Sequence, residues 1–195
     1  MRKSLLAVLL VAALVLPVVP AFAADEGTME LDIKAGFNVM SKLDVDKMKD
    51  IDDMDPAFTA GVDFFYYVMP ELAVGAGIQN VFNAKIKDSD DKAGFVNLYA
   101  QAKYVFETGN DVFNNVYPLL QIGYGILSVD SDFVDTDSNG IYWGIGVGTT
   151  IKENFVFELL YSMNNATVKD KGLGKITSDV KYSTLQLKVG YKFVF

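Results

Sequence analysis

The residues of this chain best placed to do chemistry are carboxylates and lysines, because it contains neither histidine nor cysteine. That rules out a Ser-His-Asp arrangement and any His-dependent metal centre. Nothing marks a Ser-Lys or carboxylate pair as catalytic, so no enzymatic activity is expected. The sharpest local pattern is Asp135-Thr136-Asp137-Ser138-Asn139-Gly140. Alternate oxygen ligands followed by a glycine turn match the first half of a Ca²⁺-binding loop. The twelfth position, however, is Gly146, where such a loop needs a bidentate Glu, and Asn139-Gly140 is also an ordinary turn signal. Asp135, Asp137 and Asn139 are thus the candidate metal ligands, Ca²⁺ is the one candidate cofactor, and solvated loop is the commoner reading of such stretches.

A second set of charges is more evenly built. Glu30, Asp32, Asp63 and Glu158 are matched by Lys34, Lys103, Lys188 and Lys192. Each lies on the polar side of a segment that alternates polar and apolar residues. In Glu30–Met40, Leu31, Ile33, Ala35, Phe37 and Val39 share one face, and Glu30, Asp32, Lys34, Gly36 and Asn38 the other. Period-2 alternation of this length predicts a β-strand with two unlike faces and excludes a helix. The pattern recurs around 58–68, 72–79, 96–106, 116–126, 141–151, 155–164 and 184–195, which makes eight strands. Pro118 falls inside the fifth and cannot donate a ladder hydrogen bond, so it is expected near that strand's start or at a bulge.

The links alternate in length. Met69-Pro70-Glu71 and Lys152-Glu153-Asn154 are short, and Glu107–Asn115 is of middling length. Ser41–Asp55, Asn83–Ala93, Val129–Asn139 and Asn165–Lys181 are long and polar. Short turns at one rim and long loops at the other predict an all-β, eight-stranded antiparallel up-and-down transmembrane barrel with both termini periplasmic.

Export is legible at the start. Arg2 and Lys3 precede the apolar run Leu5–Leu16, and Ala21-Phe22-Ala23 follows with small residues two apart. This is the order of a signal peptide, so residues 1–23 are expected to be removed and 24–195 to form the barrel domain. A run of about 12 residues rises about 18 Å as a helix, short of the ~30 Å hydrocarbon core. Without residues 1–23 the chain carries 15 Lys against 25 Asp+Glu and no Arg. Nucleic acid is therefore an unsuitable partner. Lys169, Lys171, Lys175 and Lys181 could touch lipopolysaccharide phosphates, though without the bidentate geometry of Arg.

A soluble barrel alternates too, and the polar face tells the two apart. Here it is rich in Gly, at 36, 61, 75, 77, 123, 125, 144, 146, 148 and 190. A narrow lumen needs that space, and a solvated surface does not. Four acids and four bases inside such a lumen can neutralise one another as an interior network that closes it, and Glu158→Ala or Lys188→Ala is expected to break a buried pair. Tyr66, Tyr67, Tyr104, Phe106, Tyr117, Phe155, Tyr191, Phe193 and Phe195, with Trp143 near a loop, are expected to form interfacial girdles.

At its C-terminus, Tyr191-Lys192-Phe193-Val194-Phe195, the chain resembles the eight-stranded outer-membrane barrels that include the OmpA transmembrane domain, OmpX, OmpW and the opacity-type adhesins. The resemblance implies that Tyr191, Phe193 and Phe195 form the signal read by the barrel-assembly machinery. It implies a monomer among outer-membrane lipid and lipopolysaccharide, with an extracellular partner met through the long loops. Two functions follow as expectations: a closed barrel acting as a structural or surface-interaction protein, or an OmpW-like narrow conduit for ions or small apolar molecules.

Overall fold

The computed structural model describes residues 24–45, 55–85, 92–110, 112–130, 138–169 and 177–195. The expected signal peptide lies outside the described residues, as do 46–54, 86–91, 131–137 and 170–176 of the long connections. The strands are β1 (Met29–Val45), β2 (Phe58–Met69), β3 (Leu72–Lys85), β4 (Lys92–Tyr104), β5 (Phe106–Glu107), β6 (Phe113–Asp130), β7 (Ser138–Ile151), β8 (Phe155–Lys169) and β9 (Thr177–Val194). The two-residue β5 continues β4 past Val105 and pairs with the same neighbour, β6, so the wall has eight staves. Every pairing is antiparallel, and the β1–β9 and β4–β6 ladders close the ring. Closure leaves no free edge, which is what a sheet in lipid requires.

The register shows how the staves tilt. From Glu30 it runs through Phe65, Gly75, Gln101, Gln121, Gly144, Ser162 and Thr184, and it returns to β1 at Ser41. A row that climbs its own starting strand means inclined strands, and the incline lets distant side chains meet across the lumen.

Burial is the reverse of a soluble protein's. Ile33, Ile78, Leu98, Ile122, Ile141 and Leu187 are at least half exposed, while Glu30, Asp32, Lys34, Asp63, Lys103, Glu158 and Lys188 are at most 3% exposed. Such an outer wall is stable only in an apolar medium.

Four local features differ from the sequence expectation or sharpen it. The strands run into stretches expected as loops: Asp44 pairs with Lys181 and Lys92 with Asp130. Charged residues crowd these stretches and read as loop, although segments such as Lys42-Leu43-Asp44-Val45 keep the alternation and backbone pairing continues. Pro118 pairs in register with Val147 on β7, with no bulge at that residue. Its other side faces the gap between the Lys103↔Leu119 and Phe106↔Val116 pairs, where Val105 N–H turns to Glu71 O. The absent donor thus falls where the ladder is already broken. In the β7–β8 link, Lys152 and Glu153 adopt φ of 48° and 68°, the left-handed pair a tight hairpin needs to match strand twist. Finally, Tyr67 and Tyr117 are not girdle residues. Both are buried in the lumen, whereas Tyr66, Tyr104, Phe155, Tyr191, Phe193 and Phe195 are exposed on the wall or at its rim.

Candidate functional site

The lumen is layered. At the turn end Phe65, Tyr67, Ala73, Val105, Tyr117, Leu119, Val156 and Leu160 form one buried cluster, and Ala24 packs against it. At the loop end Val81, Phe95, Leu127 and Val180 are buried, with Phe95 stacked on Tyr182 at 4.9 Å and 17°. Between these apolar layers lies a belt of charged and polar groups. Glycine and charge are the lumen residues expected from the sequence, and both apolar layers are additional to them. Their signal was parity: Phe65 follows Asp63 by two residues and Leu160 follows Glu158 by two, so each shares its acid's face.

Lys34 is the hub of the belt. Its Nζ donates to Glu158 Oε1 at 2.7 Å, pairs with Asp63 and lies 3.8 Å from Asp32 Oδ2. Two tyrosines support the same carboxylates. Tyr99 donates to Asp63 Oδ1 at 2.7 Å, and Tyr117 to Glu158 Oε1 at 3.0 Å. A buried ionised carboxylate persists only with such partners. Each tyrosine reaches its acid across a glycine: Gly77 lies in register between Asp63 and Tyr99, and Gly148 between Glu158 and Tyr117. A Cβ at position 77 or 148 would run into the tyrosine ring. Both glycines are needed for close approach.

Lys103 occupies a second centre, nearer the turn end. It pairs with Glu30 Oε1, and Tyr67 donates to Glu30 Oε2 at 2.9 Å. Its ammonium lies 4.0 Å from the Phe65 ring centroid and 4.9 Å from that of Tyr117, both favourable for a cation over an aromatic face. Lys188 departs from the expectation. It makes no direct ion pair among the described residues and donates instead to Gln79 Oε1 at 2.6 Å. From Gln79 the chain continues to Gln186 at 2.9 Å and from there to Ser162 at 3.1 Å. Lys188→Ala would therefore strip an amide of its donor and leave every direct ion pair in place. Lys192, half-buried at the turn end, likewise makes no direct ion pair among the described residues, although Asp32 is its register partner.

The remaining candidates lie elsewhere. Asp135 and Asp137 are outside the described residues, while Asn139 is exposed on β7 opposite Ile126. Gly146 sits inside the same strand between Leu119 and Leu160. Tyr191 and Phe193 face outward, and Phe195 closes β9 on β1 through two backbone bonds of 3.0 Å with Met29.

Charge inside, apolar side chains outside and a closed antiparallel ring together define a membrane-spanning barrel. The family described as "Outer membrane protein beta-barrel domain" matches residues 6–193. The chain belongs to that family. None of the curated proteins matches the chain. Among solved structures, Neisserial surface protein A (NspA) is similar at 18% identity, covering 86% of this chain and 100% of its own, with a TM-score of 0.55. Ail, the attachment invasion locus protein of Yersinia pestis, is 21% identical over 86% of this chain and 99% of its own, with a TM-score of 0.47. OprG from Pseudomonas aeruginosa is 14% identical over 89% and 99%, also with a TM-score of 0.47. This outer-membrane barrel shares its fold with NspA; what it does rests on its own residues.

Proposed function

We propose that this outer-membrane barrel works with a closed lumen, as a structural or surface-interaction protein that meets partners through the long connections at its loop end. The layering of the lumen carries the reading: a charged belt with internal partners, held between apolar side chains at both ends. An ion crossing it would have to part Lys34 from its carboxylates and pass two dehydrated layers, each step costing several kcal/mol. The interior of an eight-stranded barrel is just wide enough for interleaved side chains to fill it, as they do here. In this reading the termini are periplasmic, the long connections face outward, and the apolar wall sits in lipid beneath lipopolysaccharide. Residues 1–23 are removed on export, the C-terminal aromatics are read during assembly, and the barrel is a monomer.

Planar-bilayer conductance of the refolded chain tests the closed lumen. Silence across the voltage range is expected, after a heat-modifiable gel shift has verified folding. Reproducible current steps would overturn the reading in favour of the conduit.

A further inference from the structure

We infer that the belt holds one resident water molecule, bound between Lys188, Thr59 and Asp63. A cavity of about 10 Å³ lies there, lined by Lys34, Thr59, Asp63, Gln79, Tyr99 and Lys188 together with the backbone around Gly61. That is about the space one water requires. Apolar cavities of this kind stay dry, whereas polar ones fill. All six side chains are at most 3% exposed, so bulk solvent cannot serve them.

The hydrogen-bond inventory points to the same occupant. The Lys188 ammonium has three donors, and one goes to Gln79 Oε1. Thr59 Oγ1, fully buried, has no partner among the described residues. Asp63 uses Oδ1 for Tyr99, and its Oδ2 faces Lys34 with acceptor capacity to spare. A water can accept from Lys188, donate to Asp63 and bond the Thr59 hydroxyl, which gives it the three partners typical of a buried water. A sodium ion in the same space would face two ammonium groups, and a chloride would face the Asp63 carboxylate.

The water has a structural consequence. Lys188 lies beyond direct ion-pair reach of any described carboxylate. Through the water its charge is balanced by Asp63. The Lys34 hub and the Lys188–Gln79–Gln186–Ser162 chain then become one continuous network across the lumen.

The test is a crystal structure of the refolded barrel at a resolution that shows ordered solvent. One water is expected within about 3.2 Å of Lys188 Nζ, Thr59 Oγ1 and an Asp63 oxygen. An empty cavity, or Lys188 moved directly onto Asp63, overturns the inference. Water-to-amide Overhauser transfer at Gly61, measured by NMR in nanodiscs, checks it independently. The long-lived signal should persist in Thr59→Ser and be lost in Thr59→Val. A signal unchanged in a folded Thr59→Val barrel also overturns it, and if that variant does not fold, absence of the signal in the parent does so. The crystallographic readout does not depend on whether the lumen conducts.

Discussion

Lys34→Met should lower the stability of the barrel by about 3–5 kcal/mol, the cost of removing one partner from a buried ion pair. The lysine's own burial is not the source of this cost. Asp63 and Glu158 both lean on its ammonium, and no described lysine other than Lys34 makes a direct ion pair with either. Methionine fills similar volume but leaves two buried carboxylates, each bonded to a tyrosine hydroxyl, with no directly paired cation among the described residues. Equilibrium unfolding in urea, followed through the single Trp of the chain, Trp143, gives the difference directly. Adding Asp63→Asn and Glu158→Gln to Lys34→Met should recover most of the loss, because neutral amides carry a far smaller desolvation penalty. A Lys34→Met barrel that unfolds at the parent's urea midpoint would show that the hub does not hold the belt together.

Gly148→Val should be comparably damaging, for a reason of shape alone. Its Cβ would run into the Tyr117 ring, which passes over this position to reach Glu158. The ring cannot retreat easily, because Tyr117 is fully buried in the turn-end cluster and also faces Lys103. Overpacking of this kind typically costs 1–3 kcal/mol, and here the Tyr117–Glu158 bond, worth about 1.5–3 kcal/mol as a bond to a charged group, would be lost with it. Because the clash has one named partner, Tyr117→Ala in the same chain should relieve it. In Gly148→Val/Tyr117→Ala the valine should add little to the cost of the alanine. Fully additive effects in urea unfolding would mean that the two residues do not compete for the same space.

The strands and their unlike faces were legible because alternation is a direct image of the pleat. The lumen charges were legible too, since Lys34, Asp63 and Glu158 each occupy the glycine-rich face. Which charges would meet was not. Lys34 and Glu158 are 124 residues apart, and Lys34 pairs in register with Gly190, where a Cβ would run into the lysine side chain. Conversely, Lys188 and Glu158 are register partners on adjacent strands, yet Lys188 turns to Gln79 across the lumen. Strand tilt sets these partners, and it emerges only when all eight ladders close. Phe65 and Tyr67 were hidden for another reason. In Phe64-Phe65-Tyr66-Tyr67 four aromatics in a row erase the polar–apolar contrast, although two of them point into the lumen. The loop-end strand extensions were hidden because charged residues crowd them and read as loop, although Asp179-Val180-Lys181-Tyr182 still alternates and Val180 and Tyr182 are buried.

The closed lumen is tested most directly by a single cysteine placed in it, since the chain has none of its own. Gln101, buried in the belt and bonded to Gln121, is the position of choice, with exposed Asn139→Cys as the control. In the folded barrel a small charged thiol reagent should label Asn139→Cys fully and leave Gln101→Cys unmodified until urea unfolds it. Labelling of Gln101→Cys in the folded barrel at a rate near that of the control would mean that water and ions reach the belt, and the lumen would not be closed.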